Sequence, residues 1–225
     1  MRLRLPFALL AIAVGLLGLG LNMYVIGGTM FVSPENPVAR SLPNFIIYFL
    51  SFLTNLSNIA LLAIYAADLT GARWLNWFRD PVTKAGMAGI MTLVMLFYHF
   101  MLGPNLPDVP PAIDVSNVLL HYVTPLMYLG WWLAYSPHGT LRYRHLPIML
   151  VPGLAYVGYI LLRGLITGEY PYTILDPTFA IPGQPPGGYL AVAIGVGILV
   201  ALVAIFDLLL IFIDGLIARR SRQAA

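Results

Sequence analysis

The sequence predicts an all-α membrane protein, a single bundle of six transmembrane helices with N- and C-termini in the cytoplasm. Three observations lead there. Of the 225 residues, 60% are hydrophobic and only 9% are charged, against about 25% charged in soluble domains. A water-soluble globule and a disordered chain are both excluded by that balance. The apolar residues fall in six long runs, separated by short polar loops bearing Pro and Gly, and each run suits a hydrocarbon core that takes about 20 helical residues to cross. Finally, ten of the twelve basic residues fall on one side of those runs: Arg2 and Arg4; Arg73, Arg79 and Lys84; Arg142 and Arg144; Arg219, Arg220 and Arg222. Only Arg40 and Arg163 are left for the other side, so the positive-inside rule makes the first side cytoplasmic.

The first span, residues 5–27, follows Arg2 and Arg4 like a signal peptide, but its apolar run is too long and lacks a small-x-small cleavage site. It reads as a retained helix, and Gly15, Gly18 and Gly20 suit close helix packing. The second span, 43–68, carries Ser51, Thr54, Asn55 and Asn58 at i, i+3, i+4 and i+7, one helical face. Read as one straight helix from Pro43, it puts Thr54 roughly 16 Å below the outer surface. The third span, 83–102, has His99 near its outer end. The fourth, 116–135, places Asn117, His121, Thr124 and Tyr128 on one face. There Pro125 removes the N–H that the His121 carbonyl would accept, predicting a kink beside the imidazole. The fifth, 146–166, brings Arg163 near the outer surface. The sixth, 188–216, holds Asp207 and Asp214, which, with Asp68 at the inner end of the second span, either form a proton path or pair with Arg73, Arg79 or Lys84. Residues 103–111 and 168–188 form Pro-rich outer loops, read as stiff lids. Trp74, Trp77, Trp131 and Trp132 suit an interfacial belt on the cytoplasmic side. None of the six runs alternates like a strand.

Several chemistries have no sequence support. The chain has no cysteine, hence no disulfide and no thiolate ligand. Its four histidines show no metal-ligand spacing, and no phosphate-binding or nucleophile-elbow motif occurs. Neither metal nor cofactor is expected. The net charge of +3 belongs to topology-setting loops, so nucleic acid is not an expected partner; membrane lipids are.

Polar groups at membrane depth mark sites, although Ser, Thr and Asn also bond helix to helix. The segments Phe52-Leu53-Thr54-Asn55-Leu56-Ser57-Asn58, Leu120-His121-Tyr122-Val123-Thr124-Pro125, Arg163-Gly164 and Tyr170-Pro171-Tyr172 with Asp176 together resemble the androgen-induced-gene family of six-helix membrane proteins, most closely its prokaryotic branch. The resemblance implies a threonine hydrolase that cleaves fatty acid esters of hydroxy fatty acids or similar lipid esters. Thr54 then corresponds to the nucleophile and His121 to its base. Ser51, Asn55, Asn58, Asn117 and Arg163 are the surrounding groups available to hold substrate or a developing oxyanion. The expected location is the bacterial inner (plasma) membrane, with multiple passes. Two other readings stand beside this one: a small-molecule or lipid transporter using the polar stripe and Asp207, and a non-catalytic scaffold in which Thr54 bonds back to the carbonyl of Leu50.

Overall fold

In the computed structural model, which describes residues 3–33, 38–105 and 111–223, the chain is built of helices and turns, with no strand among those residues. Arg2 and the loop residues 106–110 lie outside the described residues. Helix α1 runs Arg4–Ile26, α2 Leu42–Phe49, α3 Leu53–Thr70, α4 is the single turn Asn76–Arg79, and α5 runs Pro81–Phe97. A π turn, Tyr98–Leu102, extends α5. Helix α6 (Pro111–Val118) passes through a second π turn, Leu119–Val123, into α7 (Thr124–Tyr135). The last two helices are α8 (Leu146–Thr167) and α9 (Gly188–Gln223). Local signals set the ends. Asp80 caps α5 by accepting the Val82 and Thr83 amides at 2.8 and 3.2 Å ahead of Pro81. Gly71 and Gly168 end α3 and α8 in the left-handed conformation, at φ 66° and 71°.

Helix α5 is central, packed by α3, α7, α8 and α9. Small residues make that possible: Gly86 lies against the backbone of Met149, and Gly89 has room only for the Asp207 carboxylate beside it. On α1, Gly15 and Gly18 meet Leu62 and Leu120, whereas Gly20 faces open space. The polarity is inverted relative to a soluble protein. Leu9, Leu16, Leu162, Leu165, Ile194 and Ile198 are exposed, while Ser51, Asn55, Asn58, Lys84, Asp207 and Asp214 are buried. Such an apolar exterior belongs in lipid. By length and apolarity, α1 with its following turn, α5 with its π turn, α8 with its preceding turn, and α9 each suffice to cross a membrane, and the α2–α3 pair makes a fifth. The chain is therefore a multi-pass integral membrane protein. The run from Pro111 to Tyr135 does not meet that measure.

Two expectations are corrected here. The second span is not one straight helix: α2 and α3 meet at 80°. The eight residues of α2, about 12 Å of helix, then advance only about 2 Å along α3, so the 16 Å depth of Thr54 does not hold. Ser51 also drops out of the helical stripe. No Pro or Gly lies at the break, which is instead held by side chains that satisfy its freed carbonyls. Ser51 Oγ donates to Ile47 O (2.6 Å), Asn55 Nδ2 to Phe49 O (2.9 Å) and Tyr156 Oη to Ser51 O (2.8 Å). Second, Trp131 and Trp132 are in the core, not in an interfacial belt. Trp131 packs among Phe7, Tyr65 and Tyr135 under the Arg4 guanidinium. Trp74 and Trp77 are exposed.

Asn55→Leu leaves the Phe49 carbonyl without its side-chain donor and removes the bond to Asn22 Oδ1 (3.0 Å). Unsatisfied buried groups cost about 1–3 kcal/mol, so thermal unfolding in detergent should show a clear loss of stability. A variant as stable as wild type would mean that packing alone holds the break.

Candidate active site

The break that opens α3 puts Thr54 in its first turn, and the second π turn puts His121 opposite. Thr54 Oγ1 lies 3.1 Å from His121 Nε2. On the other edge of the ring, Nδ1 is 3.0 Å from the backbone carbonyl of Asn117. A carbonyl only accepts, so Nδ1 carries the proton, and Nε2 presents its lone pair to the Thr54 hydroxyl. The hydroxyl therefore donates to the imidazole and not to the Leu50 carbonyl. Tyr98, from the first π turn, stacks on His121 with centroids 4.0 Å apart and planes 20° apart, which fixes the ring's tilt. Both π turns thus serve one imidazole.

The connection between α8 and α9 supplies the third wall. Tyr172 stands edge-on to Phe52 and Phe97, at 6.2 and 6.3 Å. Its hydroxyl has the Thr54 hydroxyl and amide, the Leu53 amide and Tyr156 as its polar neighbours. Those two amides lie in the first turn of α3, where no preceding turn supplies a carbonyl acceptor. Among the described residues neither bonds to a backbone carbonyl. Thr54, His121 and Tyr172 line one cavity of about 80 Å³, several times what a single water needs. The rest of its wall is aliphatic and aromatic, running past Leu93 and Phe97 of α5 and Gly153 and Val157 of α8 to Val203 of α9.

No family model, curated protein or solved structure matches the chain. The geometry alone carries the functional argument.

The structure separates the other expected site residues from this cavity. Asn55 is spent on Asn22 and Phe49 O. Asn58 donates to Thr54 O (2.8 Å) and Leu120 O (3.2 Å) and accepts from Thr124 Oγ1. Neither amide is free to meet a substrate oxygen, because each already satisfies backbone opened by the break or by the π turn. Ser51 bonds its own preceding turn, and Asn117 contributes a carbonyl, not its side chain. His99 reaches Tyr122 at 3.1 Å, away from Thr54. Arg163 holds Glu169, through Nη2–Oε2 at 2.6 Å and Nη1–O at 2.8 Å, and Arg40 grips the same carboxylate at 2.9 and 3.0 Å. These two arginines clamp the start of the connection that carries Tyr172. Gly164 completes the clamp, since a Cβ there would overlap the Tyr170 ring. Of the carboxylates read as ion-pair partners, Asp68 meets Lys84 at 2.6 Å and Arg4 at 3.3 Å. Asp214 instead takes His138 and the Leu141 amide, and Asp207 has no partner among the described residues. No group of three or more metal-ligating side chains occurs among the described residues.

Tyr172, Tyr98 and Tyr156 are what sequence reasoning missed. The Tyr-Pro-Tyr triplet after Glu169 is a visible signal, but no spacing links it to Thr54.

Burial pushes the Glu169 carboxyl up, yet hydrogen bonds and charges from Arg40 and Arg163 outweigh it and hold it below its ordinary value of 4.5. With the folded value depressed, the clamp contributes stability above that ordinary value and loses it as pH falls through the folded one. In detergent, acidification from about pH 6 to about pH 3 should lower the melting temperature of wild type more steeply than that of Glu169→Gln. Equal slopes would show that the clamp is not an acid-sensitive element.

Proposed function

We propose that the protein is an intramembrane hydrolase of lipid esters, with Thr54 as nucleophile and His121 as its base. The observation that carries this reading is the Thr54–His121 contact, with the lone pair of Nε2 aimed at the hydroxyl because Asn117 holds the proton on Nδ1. A threonine hydroxyl is a weak nucleophile until a base takes its proton, and a neutral imidazole suits that task. In acylation, the Thr54 Oγ1–carbon bond forms as the Thr54 proton passes to Nε2, and the carbonyl π pair moves onto its oxygen. The ester C–O bond then breaks, and the leaving alcohol takes the proton from Nε2. Water, deprotonated by His121, releases the acid from acyl-Thr54 and restores the resting site.

The oxyanion falls to Tyr172 Oη with the Leu53 and Thr54 amides, replacing the asparagines and Arg163 expected from sequence. Tyr156 donates its one proton to Ser51 O, and Thr54 donates its own to His121. Among the described residues the Tyr172 hydroxyl has hydroxyls and amides as its polar neighbours, not a carbonyl or imidazole acceptor, so its proton can turn to a substrate oxygen. The apolar cavity receives an acyl chain, which suits fatty acid esters of hydroxy fatty acids and accords with the resemblance to the androgen-induced-gene family. On this reading the α6–α7 run also crosses the bilayer, giving six spans with both termini cytoplasmic, in a bacterial inner membrane. A transporter reading draws on Asp207, whose buried oxygens have no partner among the described residues; it is weaker because Asp207 does not line the cavity.

Groups that act as one unit have non-additive losses. Thr54→Ala and His121→Ala should each abolish hydrolysis of a long-chain ester and labelling by a fluorophosphonate, with the double variant no worse. Thr54→Ser keeps the oxygen and should retain activity within about tenfold. Full activity in purified Thr54→Ala would overturn the mechanism.

Tyr172→Phe should lower kcat by about 10²–10³ with little change in KM, the usual effect of losing one oxyanion donor. An unchanged kcat would return that role to the amides alone.

Orientation has its own test. A cysteine replacing Thr178 should react with an impermeant maleimide in intact cells, and one replacing Arg142 should not. The opposite pattern would invert the topology.

A further inference from the structure

At the far end of α8 and α9 from Thr54, a second cavity of about 490 Å³ is ringed by Arg142, Arg144 and Arg219. The turn between α7 and α8 is tied down beside α9 by one carboxylate. Asp214, almost fully buried, takes His138 Nδ1 on Oδ1 at 3.1 Å and the Leu141 amide on Oδ2 at 3.0 Å. That tie seats Arg142 and Arg144 across the cavity from Arg219. It also turns the neighbouring acid inward, so it does not neutralise them. None of the three arginines forms an ion pair among the described residues. The other titratable groups nearby are Tyr143, in the cavity wall, His138 and His145, and no carboxylate is among the described residues that line the cavity.

Gly215 lines the cavity with no side chain, and a Cβ there would meet nothing within 4 Å. Phe212 and Leu216 are exposed and precede Arg219 by seven and three residues, the same face of α9. The site therefore presents a cationic head above an apolar strip. Topology-setting arginines need only reach water, which explains their side of the membrane but not their convergence on one cavity. Guanidinium groups recognise phosphate oxygens in a forked geometry, and basic pockets between membrane helices hold anionic headgroups.

We propose that this cavity binds the phosphate headgroup of an anionic phospholipid, whose acyl chains lie along Phe212 and Leu216. The inference is independent of the hydrolase reading. It is tested on the full-length protein by native mass spectrometry and by titration with phosphatidylglycerol and phosphatidylcholine in detergent. Wild type should retain phosphatidylglycerol in preference to phosphatidylcholine, and rising salt should weaken that preference. The R144Q/R219Q double variant should bind phosphatidylglycerol about thirtyfold more weakly, about fivefold for each charge lost. Gly215→Leu keeps every arginine but puts an apolar side chain into the cavity between them, and it should weaken retention too, with melting temperature measured alongside. Equal retention of the two lipids, or a double variant that binds like wild type, overturns the proposal. Inorganic phosphate binding as tightly as phosphatidylglycerol would overturn the lipid as the ligand and assign the site to free phosphate.

Discussion

In hydrocarbon a backbone amide or carbonyl without a partner has no water to turn to, so irregular backbone is tolerated only where the protein itself satisfies it. That constraint organises the site end of this bundle. The chain breaks its helical ladder between α2 and α3 and loosens it at the π turn before α7. At both places polar side chains take over the freed carbonyls. Ser51, Asn55 and Tyr156 do so at the break; Asn58 and Thr124 do so at Leu120 O, and His121 at Asn117 O. Because the break starts a new helix at Leu53, it also leaves two amides beside the Thr54 hydroxyl without a backbone-carbonyl acceptor, turned instead toward Tyr172 Oη. The irregularity and the candidate chemistry thus have one cause.

This is why the polar stripe of the second span was legible and yet misassigned in part. Hydroxyls and amides at helical spacing rightly mark a buried face. Sequence, however, does not say whether an amide there serves a ligand or the backbone. Asn55 and Asn58 serve the backbone. Thr54 and His121, in contrast, are the pair that the family resemblance implies, and they meet at 3.1 Å, although the second span is not the straight helix that sets the expected depth of Thr54. The break carries no Pro or Gly signal; its conformation depends on Tyr156, more than a hundred residues away. Tyr172 was invisible as a neighbour of Thr54 for the same reason. Ahead of Pro125 the helix forms a π turn over Leu119–Val123, in which one extra residue is absorbed.

Charge is used sparingly and mostly as a tie. Asp68 joins α3 to Lys84 of α5, Glu169 joins Arg40 to Arg163, and Asp214 fastens the α7–α8 turn to α9. Each fastens one helix or connection to another at an end of the bundle, where desolvation costs less than at its centre. Asp207 departs from that pattern, buried against Gly89 without a partner among the described residues. Its tight seat beside a glycine explains how it fits, not what it does.

The same economy bears on the proposed catalysis. In soluble serine hydrolases a carboxylate orients the histidine and stabilises the imidazolium that forms. A permanent carboxylate beside His121 would be a buried charge in lipid, costly unless paired. The Asn117 carbonyl sets the same tautomer with a neutral dipole, so the resting dyad holds no formal charge. When Thr54 attacks, imidazolium and oxyanion appear together, a few ångströms apart, and their attraction is strong in surroundings of low dielectric. The separation of charge is then balanced within the site itself, and the fixed dipoles of Tyr172 and of the first-turn amides need only favour its negative half. A site of this kind depends on preorganised neutral donors, which is what the broken helix provides.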